Sequence, residues 1–261
     1  MNIIAITNQK GGVGKTTTAI NLSASLGYLG KSVLLIDADA QGNSTSGLGI
    51  SRKSVAFSLY DVLADSSKIN DAIIETEFKN LNLIPSSYAL SKLESDFAGT
   101  QSVNYKLKNA IDSISKSNLP DYIIIDCPPA INLLTSNALV CSNYILVPIQ
   151  CEYYALEGLS QLINSVRQIR RSYNSSLNLL GVVFTMYSKR LKLTIQVENE
   201  VKRCLKDKVF DVTIPRTVRL SESPSFGKPI LYFDKSSYGA KTYLDLAKEV
   251  IKKCSAPKLK T

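Results

Sequence analysis

Short apolar runs alternate with longer amphipathic stretches along the whole chain. Asn2–Thr7, Ser32–Ile36, Leu81–Ile84, Tyr122–Ile125, Tyr144–Pro148, Leu179–Phe184 and Val209–Ile214 are rich in Ile, Val and Leu. Runs that are apolar on both faces suit buried strands of a parallel sheet. Between them, Lys15–Leu29, Tyr105–Ser115, Ala155–Arg171, Thr194–Leu205 and Lys241–Lys253 carry apolar residues at helical spacing. In the first of these, Ala19, Leu22, Leu26 and Leu29 fall near one face. The repeated order of strand, loop, helix and strand predicts an α/β fold, a mainly parallel sheet covered by helices. Gly, Ser and Asn cluster at 42–49, which marks a loop, and Ser86-Ser87 and Gly99-Thr100 bound another irregular stretch. No repeat or linker interrupts the pattern, so a single domain over residues 1–261 is expected.

Composition narrows the chemistry. The chain has 261 residues, 44% of them apolar, enough for one full core. It contains no His, which removes an imidazole base, Ser-His-Asp catalysis and His-ligated zinc. Lys, Asp, Glu, Ser, Thr, Cys and the backbone are left to do the work. Cys127, Cys141, Cys151, Cys204 and Cys254 form no CxxC pair, and an odd count without a secretory signal reads as reduced thiols in a cytosolic protein. The first strand-like run starts within three residues of Met1, so no targeting segment is expected ahead of it, and the apolar runs are too short to span a bilayer.

Charge is unevenly placed. Lys and Arg number 31 against 22 Asp and Glu, a net charge of +9. Residues 1–160 hold 11 basic and 14 acidic residues, whereas residues 161–261 hold 20 and 8. A basic second half points to a polyanion partner.

Residues 8–17 read Asn8-Gln9-Lys10-Gly11-Gly12-Val13-Gly14-Lys15-Thr16-Thr17, between a strand and a helix. Glycines let backbone N–H groups turn toward phosphate oxygens, and the helix N-terminus adds partial positive charge. Lys15 is placed to reach β- and γ-phosphates and Thr16 to hold Mg²⁺. The usual pattern has Gly at the position of Gln9; here Lys10 follows it, giving a variant loop with two lysines.

This loop, Leu35-Ile36-Asp37-Ala38-Asp39-Ala40-Gln41-Gly42-Asn43, and Ile124-Ile125-Asp126-Cys127-Pro128-Pro129 together resemble the ParA/Soj/MinD branch of P-loop ATPases. Ile214-Pro215-Arg216-Thr217-Val218-Arg219-Leu220-Ser221-Glu222-Ser223-Pro224 resembles the small ParA/Soj partition ATPases in particular, as does Gly239-Ala240 with Tyr243-Leu244-Asp245-Leu246-Ala247. The resemblance implies the three-layer α/β/α P-loop NTPase fold and ATP hydrolysis with ATP and Mg²⁺. It implies that Lys10, Gly11, Gly12, Val13, Gly14, Lys15, Thr16 and Thr17 bind the nucleotide phosphates. Thr185-Met186 and Pro215-Arg216 are then expected at the adenine. Thr16, Asp37 and Asp126 would hold Mg²⁺, the two acids through water, and Asp39 would orient the attacking water. Lys10 would reach across to the nucleotide of a second subunit, so that Lys10, Lys15 and Asp39 form the catalytic set of an ATP-sandwich homodimer. Thr217 departs from the family, which often has Asn there.

Arg190 and Arg219 match positions that the family uses on DNA, with Lys228, Lys248 and Lys252 among the supporting candidates. No base-reading motif is present, so contacts to double-stranded DNA are expected on phosphates without sequence specificity. Pairing two subunits would double the neutralised phosphates and steepen the salt dependence of log K from about −0.9Z to about −1.8Z. The implied function is chromosome or plasmid partition, nucleoid-associated in the cytoplasm and reset by a ParB-like partner. Two alternatives share the fold. A MinD-like membrane regulator needs a basic amphipathic helix at the end of the chain. Tyr243, Leu244, Ala247, Val250, Ile251 and Cys254 do form an apolar stripe, but Pro257 soon breaks it, so a core helix and no membrane partner are expected. An iron–sulfur carrier needs paired thiolates, and Cys127 and Cys141 lack CxxC partners.

Overall fold

In the computed structural model, which describes residues 1–100, 102–115 and 119–255, an eight-stranded sheet is sandwiched between helices. The strands are β1 (Asn2–Ile6), β2 (Val33–Asp37), β3 (Ile74–Glu75), β4 (Leu81–Ile84), β5 (Tyr122–Asp126), β6 (Tyr144–Gln150), β7 (Asn178–Tyr187) and β8 (Val209–Pro215). They lie in the order β3-β4-β2-β5-β1-β6-β7-β8. All neighbours are parallel except β3 and β4, so the short edge strand β3 alone runs against the rest.

Strand alternation feeds two cores. Ile3, Ala5, Leu34, Ile36, Ile123 and Ile125 face one layer of helices; Ile4, Ile6, Val33, Leu35, Tyr122 and Ile124 face the other. The second layer holds α1 (Lys15–Tyr28) and α12 (Tyr238–Ser255), with Leu22, Leu26, Tyr243, Leu246 and Val250 fully enclosed. Much of the stripe expected on the last helix is therefore core; Pro257 lies outside the described residues. No helix among the described residues is long and apolar enough to cross a membrane.

Pro148 sits in β6, between two neighbours, where a missing N–H is normally excluded. The ladder between β1 and β6 ends at Leu146, and the Pro148 carbonyl accepts from Asn8 Nδ2 at 2.8 Å. The proline thus stands beside the phosphate loop rather than inside a complete ladder.

Several elements differ from the expected pattern. α7 (Leu133–Cys141) falls where no helix was predicted, because its residues are almost all buried and carry no polar face. Asn132 starts it by accepting from Thr135 N at 3.0 Å. The Gly/Ser/Asn stretch contains the single-turn α2 (Asn43–Gly47). The helix expected at 105–115 is regular only over Lys106–Asp112 (α6). Between β2 and β5 the chain also forms α3 (Leu59–Ala64), α4 (Ile69–Ala72) and α5 (Leu93–Asp96). α8 (Ala155–Ser172), α9 (Lys192–Leu205), α10 (Val218–Glu222) and α11 (Ile230–Phe233) complete the fold.

Candidate nucleotide site

The phosphate loop leaves the carboxyl end of β1 and enters α1, at the sheet edge where open α/β folds bind ligands. Gly12 and Gly14 have φ of 75° and 85°, the left-handed region that a Cβ disfavours. Gly14 is also the N-cap of α1, so the first N–H groups of the helix open into the loop. Thr185 Oγ1, from β7, pins the loop by donating to the Val13 carbonyl at 2.7 Å. Lys15 is buried and its ammonium donates to the Lys10 carbonyl at 3.0 Å. Burial lowers its pKa, opposed by the negative charge of Asp126 and Asp39. The lysine therefore lies folded into the loop, with its charge held where phosphate oxygens would arrive.

Asp37 and Asp126 end neighbouring strands and face each other in register. Both are wholly buried. Burial pushes Asp37 up to about 6, with the charge of Asp39 adding to it, and burial together with the charge of Asp37 pushes Asp126 up to about 7. Their surroundings differ. Asp37 Oδ2 accepts from Thr45 N and Thr45 Oγ1, both at 2.7 Å, and its Oδ1 from Asp39 N at 3.3 Å, which anchors α2. Asp126 Oδ2 accepts from Ser44 Oγ at 2.8 Å, but its buried Oδ1 has no hydrogen-bond partner. The Thr16 side chain stands close enough to Asp126 to oppose its upward shift. An unpaired buried carboxylate oxygen beside a hydroxyl is a hard-oxygen donor set that fits Mg²⁺. Ser44 and Thr45 could not be singled out from the sequence, where they are two hydroxyls in a loop.

Asp39 lies beyond the end of β2, partly exposed. Its Oδ1 accepts from Gln41 N at 2.9 Å, and its carbonyl accepts from Ser86 Oγ at 2.5 Å. Lys10, also partly exposed, is ion-paired with Glu152 just past β6. Next to Glu152, Tyr153 and Tyr154 stand in edge contact, 76% and 67% exposed. Sequence reasoning did not select Glu152; its only signal is its place after the strand that flanks β1.

Met186, Pro215 and Arg216 line one cavity of about 240 Å³ with Gly14, Thr17 and Tyr243. The loop and the proposed adenine residues thus share a wall. Thr217 lies in the same cavity, and its hydroxyl accepts from Leu220 N at 3.2 Å, so this side chain caps α10.

The basic candidates divide between the two ends of the sheet. Arg190 follows β7 and Arg219 follows β8, whose carboxyl ends pair at Tyr187 and Pro215. Arg219 lies 3.4 Å from Glu222 and 3.5 Å from Asp234, and Lys228 is exposed in the loop beyond. Lys248 and Lys252 sit on the distal half of α12, where neighbouring Lys253 donates to the Asp207 carbonyl and Glu249 accepts from Asp211 N. Asp207 and Asp211 mark the amino end of β8, so these lysines lie toward the opposite sheet edge from Arg190 and Arg219. Within one protomer the five do not form a single patch. The thiols of Cys127 and Cys141 are buried, and burial raises the pKa of both, Cys141 to about 12.

A family model described as an AAA domain matches residues 1–179. The sporulation initiation inhibitor protein Soj of Bacillus subtilis is 53% identical over 95% of this chain and 97% of its own length. The chain belongs to the ParA/Soj family. The chromosome partitioning protein ParA of Caulobacter vibrioides is 47% identical to this ParA/Soj chain over 96% of it and 94% of the relative. Among solved structures, cobyrinic acid a,c-diamide synthase from Mycobacterium smegmatis, with bound ADP and magnesium, superposes with a TM-score of 0.85 at 30% identity. That match covers 100% of the ParA/Soj chain and 98% of the other. The fold is thus that of P-loop NTPases, and the chain is a partitioning ATPase of this family.

Proposed function

We propose that this chain hydrolyses ATP to ADP and phosphate as an ATP-dependent homodimer that holds DNA non-specifically, within one domain over residues 1–261. The observation that carries the reading is the buried Asp126 oxygen without a partner, set against the Thr16 side chain and the folded-in ammonium of Lys15. Bound Mg²⁺ supplies charge neutralisation on the phosphate oxygens. Thr16 and Asp126 would hold it with Asp37, whose oxygens accept from α2 and Asp39 N and so place α2 beside the site. The N–H groups of residues 10–17 and the Lys15 ammonium bind the phosphates, while Met186, Pro215 and Arg216 receive the adenine. Asp39 orients the water and accepts its proton. Lys10 leaves Glu152 to stabilise charge on the partner's nucleotide, so the ion pair of the isolated protomer is exchanged on dimerisation. Positioning and electrostatics of this kind carry phosphoryl transfer without His.

DNA phosphates are held by Arg190, Arg219, Lys228, Lys248 and Lys252, brought into range in pairs by the dimer. A ParB-like protein triggers hydrolysis and release, in the cytoplasm on the nucleoid. Burial of Tyr243, Leu246, Ala247 and Val250 favours DNA over a membrane as the working surface. The test is ATP-dependent retention on random-sequence DNA of Arg190→Glu and Arg219→Glu variants. Loss of retention is expected; retention equal to the unsubstituted protein removes both residues from the DNA face.

A further inference from the structure

The loop that carries Asp39 is tied down from outside the nucleotide site. Its carbonyls at residues 39 and 40 are held separately. Ser86 Oγ donates to the Asp39 carbonyl, and Arg52 Nη1 donates to the Ala40 carbonyl at 3.2 Å. The other arm of the guanidinium, Nη2, donates to Tyr88 Oη at 2.9 Å, and Arg52 Cζ lies 4.1 Å from the centroid of the Tyr88 ring. Ser86 and Tyr88 come from the segment after β4, two residues apart. Ser86 N also donates to Thr45 Oγ1 at 3.0 Å, and that hydroxyl donates to Asp37. The strap therefore holds the Asp39 backbone directly and reaches Asp37 through Thr45.

Gly42 makes the strap possible. It adopts φ of 65°, and a Cβ there would lie 2.5 Å from Arg52 Cδ. The arginine stem crosses the loop where glycine leaves room, so its head reaches the Ala40 carbonyl. Arg52 is polar, partly buried and without a carboxylate partner among the described ion pairs. A guanidinium can grip a carbonyl and an aromatic hydroxyl together because its donors sit in a rigid fork. A lysine head lacks that fork.

We infer that Arg52, braced by Tyr88, is a positioning residue that fixes the Asp39 carboxylate for hydrolysis. It acts through the Ala40 carbonyl. The inference rests on the reading of Asp39 as the group that orients water. Releasing the loop leaves nucleotide binding intact but scatters the carboxylate, and a displacement of a fraction of an ångström is enough to slow chemistry about tenfold.

The test compares steady-state ATP hydrolysis, with Mg²⁺ and DNA present, for Arg52→Ala, Arg52→Lys, Tyr88→Phe and Asp39→Ala. Arg52→Ala should lower kcat about tenfold with KM changed less than about twofold, and its ATP-dependent hold on DNA should persist. Tyr88→Phe keeps the ring but loses the hydroxyl, and should lower kcat less than Arg52→Ala. Arg52→Lys keeps the charge and can still donate to the Ala40 carbonyl, and should recover part of the rate. If Asp39→Ala hydrolyses normally, the role given to Asp39 fails and the strap falls with it. If Asp39→Ala is inactive while Arg52→Ala keeps the full kcat, or raises KM alone, the strap is overturned and the role of Asp39 stands.

Discussion

Asp126→Asn separates stability from function at the acid pair. Two wholly buried carboxylates face each other in register on β2 and β5, and Asp126 Oδ1 makes no hydrogen bond. Leaving such a group unpaired costs about 1–3 kcal/mol, and more when it is charged. Asparagine has nearly the same shape, removes one charge, keeps a carbonyl to accept from Ser44 and offers an N–H₂ toward Asp37. The nucleotide-free variant should therefore be more stable by about 1–3 kcal/mol, which for a chain of this size raises Tm by about 2–10 °C. It should also lose the extra stabilisation that Mg²⁺ and ATP give the unsubstituted protein, since the charged oxygen that would face the metal is gone. Differential scanning calorimetry with and without Mg²⁺-ATP reads both effects. An Asp126→Asn protein that melts lower without nucleotide, or gains as much from Mg²⁺-ATP as the unsubstituted chain, refutes the assignment of that oxygen.

Three further outcomes follow from the same geometry. Both acids titrate above the unfolded carboxylate value, so the folded state binds more protons between about pH 4 and 7 and stability falls as pH rises through that window. Tm of the nucleotide-free protein should drop from pH 5 to 8, a slope that Asp126→Asn flattens; an unchanged slope contradicts the buried pair as its source. Glu152→Gln frees Lys10 from an ion pair whose side chains are 39% and 42% exposed, so the gain is at most about 1 kcal/mol. Dimerisation with ATP, followed by analytical ultracentrifugation, should tighten by no more than about fivefold, and weaker dimers would mean that Glu152 serves the interface instead. Thr217→Ala removes the cap of α10 at the rim of the cavity lined by Met186, Pro215 and Arg216, with an expected loss of about 0.5–2 kcal/mol in thermal unfolding; an unshifted Tm would show that the cap is idle.

Much of this was legible in the chain itself. Runs apolar on both faces located seven of the strands, because a sheet covered on both sides has no polar alternation to blur them. The two-residue β3 is too short to leave a pattern, and it is the one antiparallel strand. α7 escaped because a helix enclosed on all sides has no amphipathic period. At the site, glycines and lysines announced the loop, since few other structures need that spacing. The hydroxyls of Ser44, Thr45 and Ser86, the Glu152 partner of Lys10 and the Arg52 strap were silent, because each acts across a large sequence separation that only folding closes. The basic half of the chain pointed to a polyanion, but not to its arrangement: Arg190 and Arg219 stand at one sheet edge and Lys248 and Lys252 lie toward the other.

The proposal that nucleotide state controls DNA through the dimer meets its most direct test in three single variants on random-sequence DNA with ATP and Mg²⁺. Lys15→Ala and Lys10→Ala should lose retention, the first by weakening phosphate binding and the second by removing the contact to the partner. Asp39→Ala should dimerise, hydrolyse poorly and remain on the DNA longer than the unsubstituted protein. Release of Asp39→Ala at the same rate as Lys15→Ala would contradict the trapped dimer, and with it the account of how ATP holds this protein on DNA.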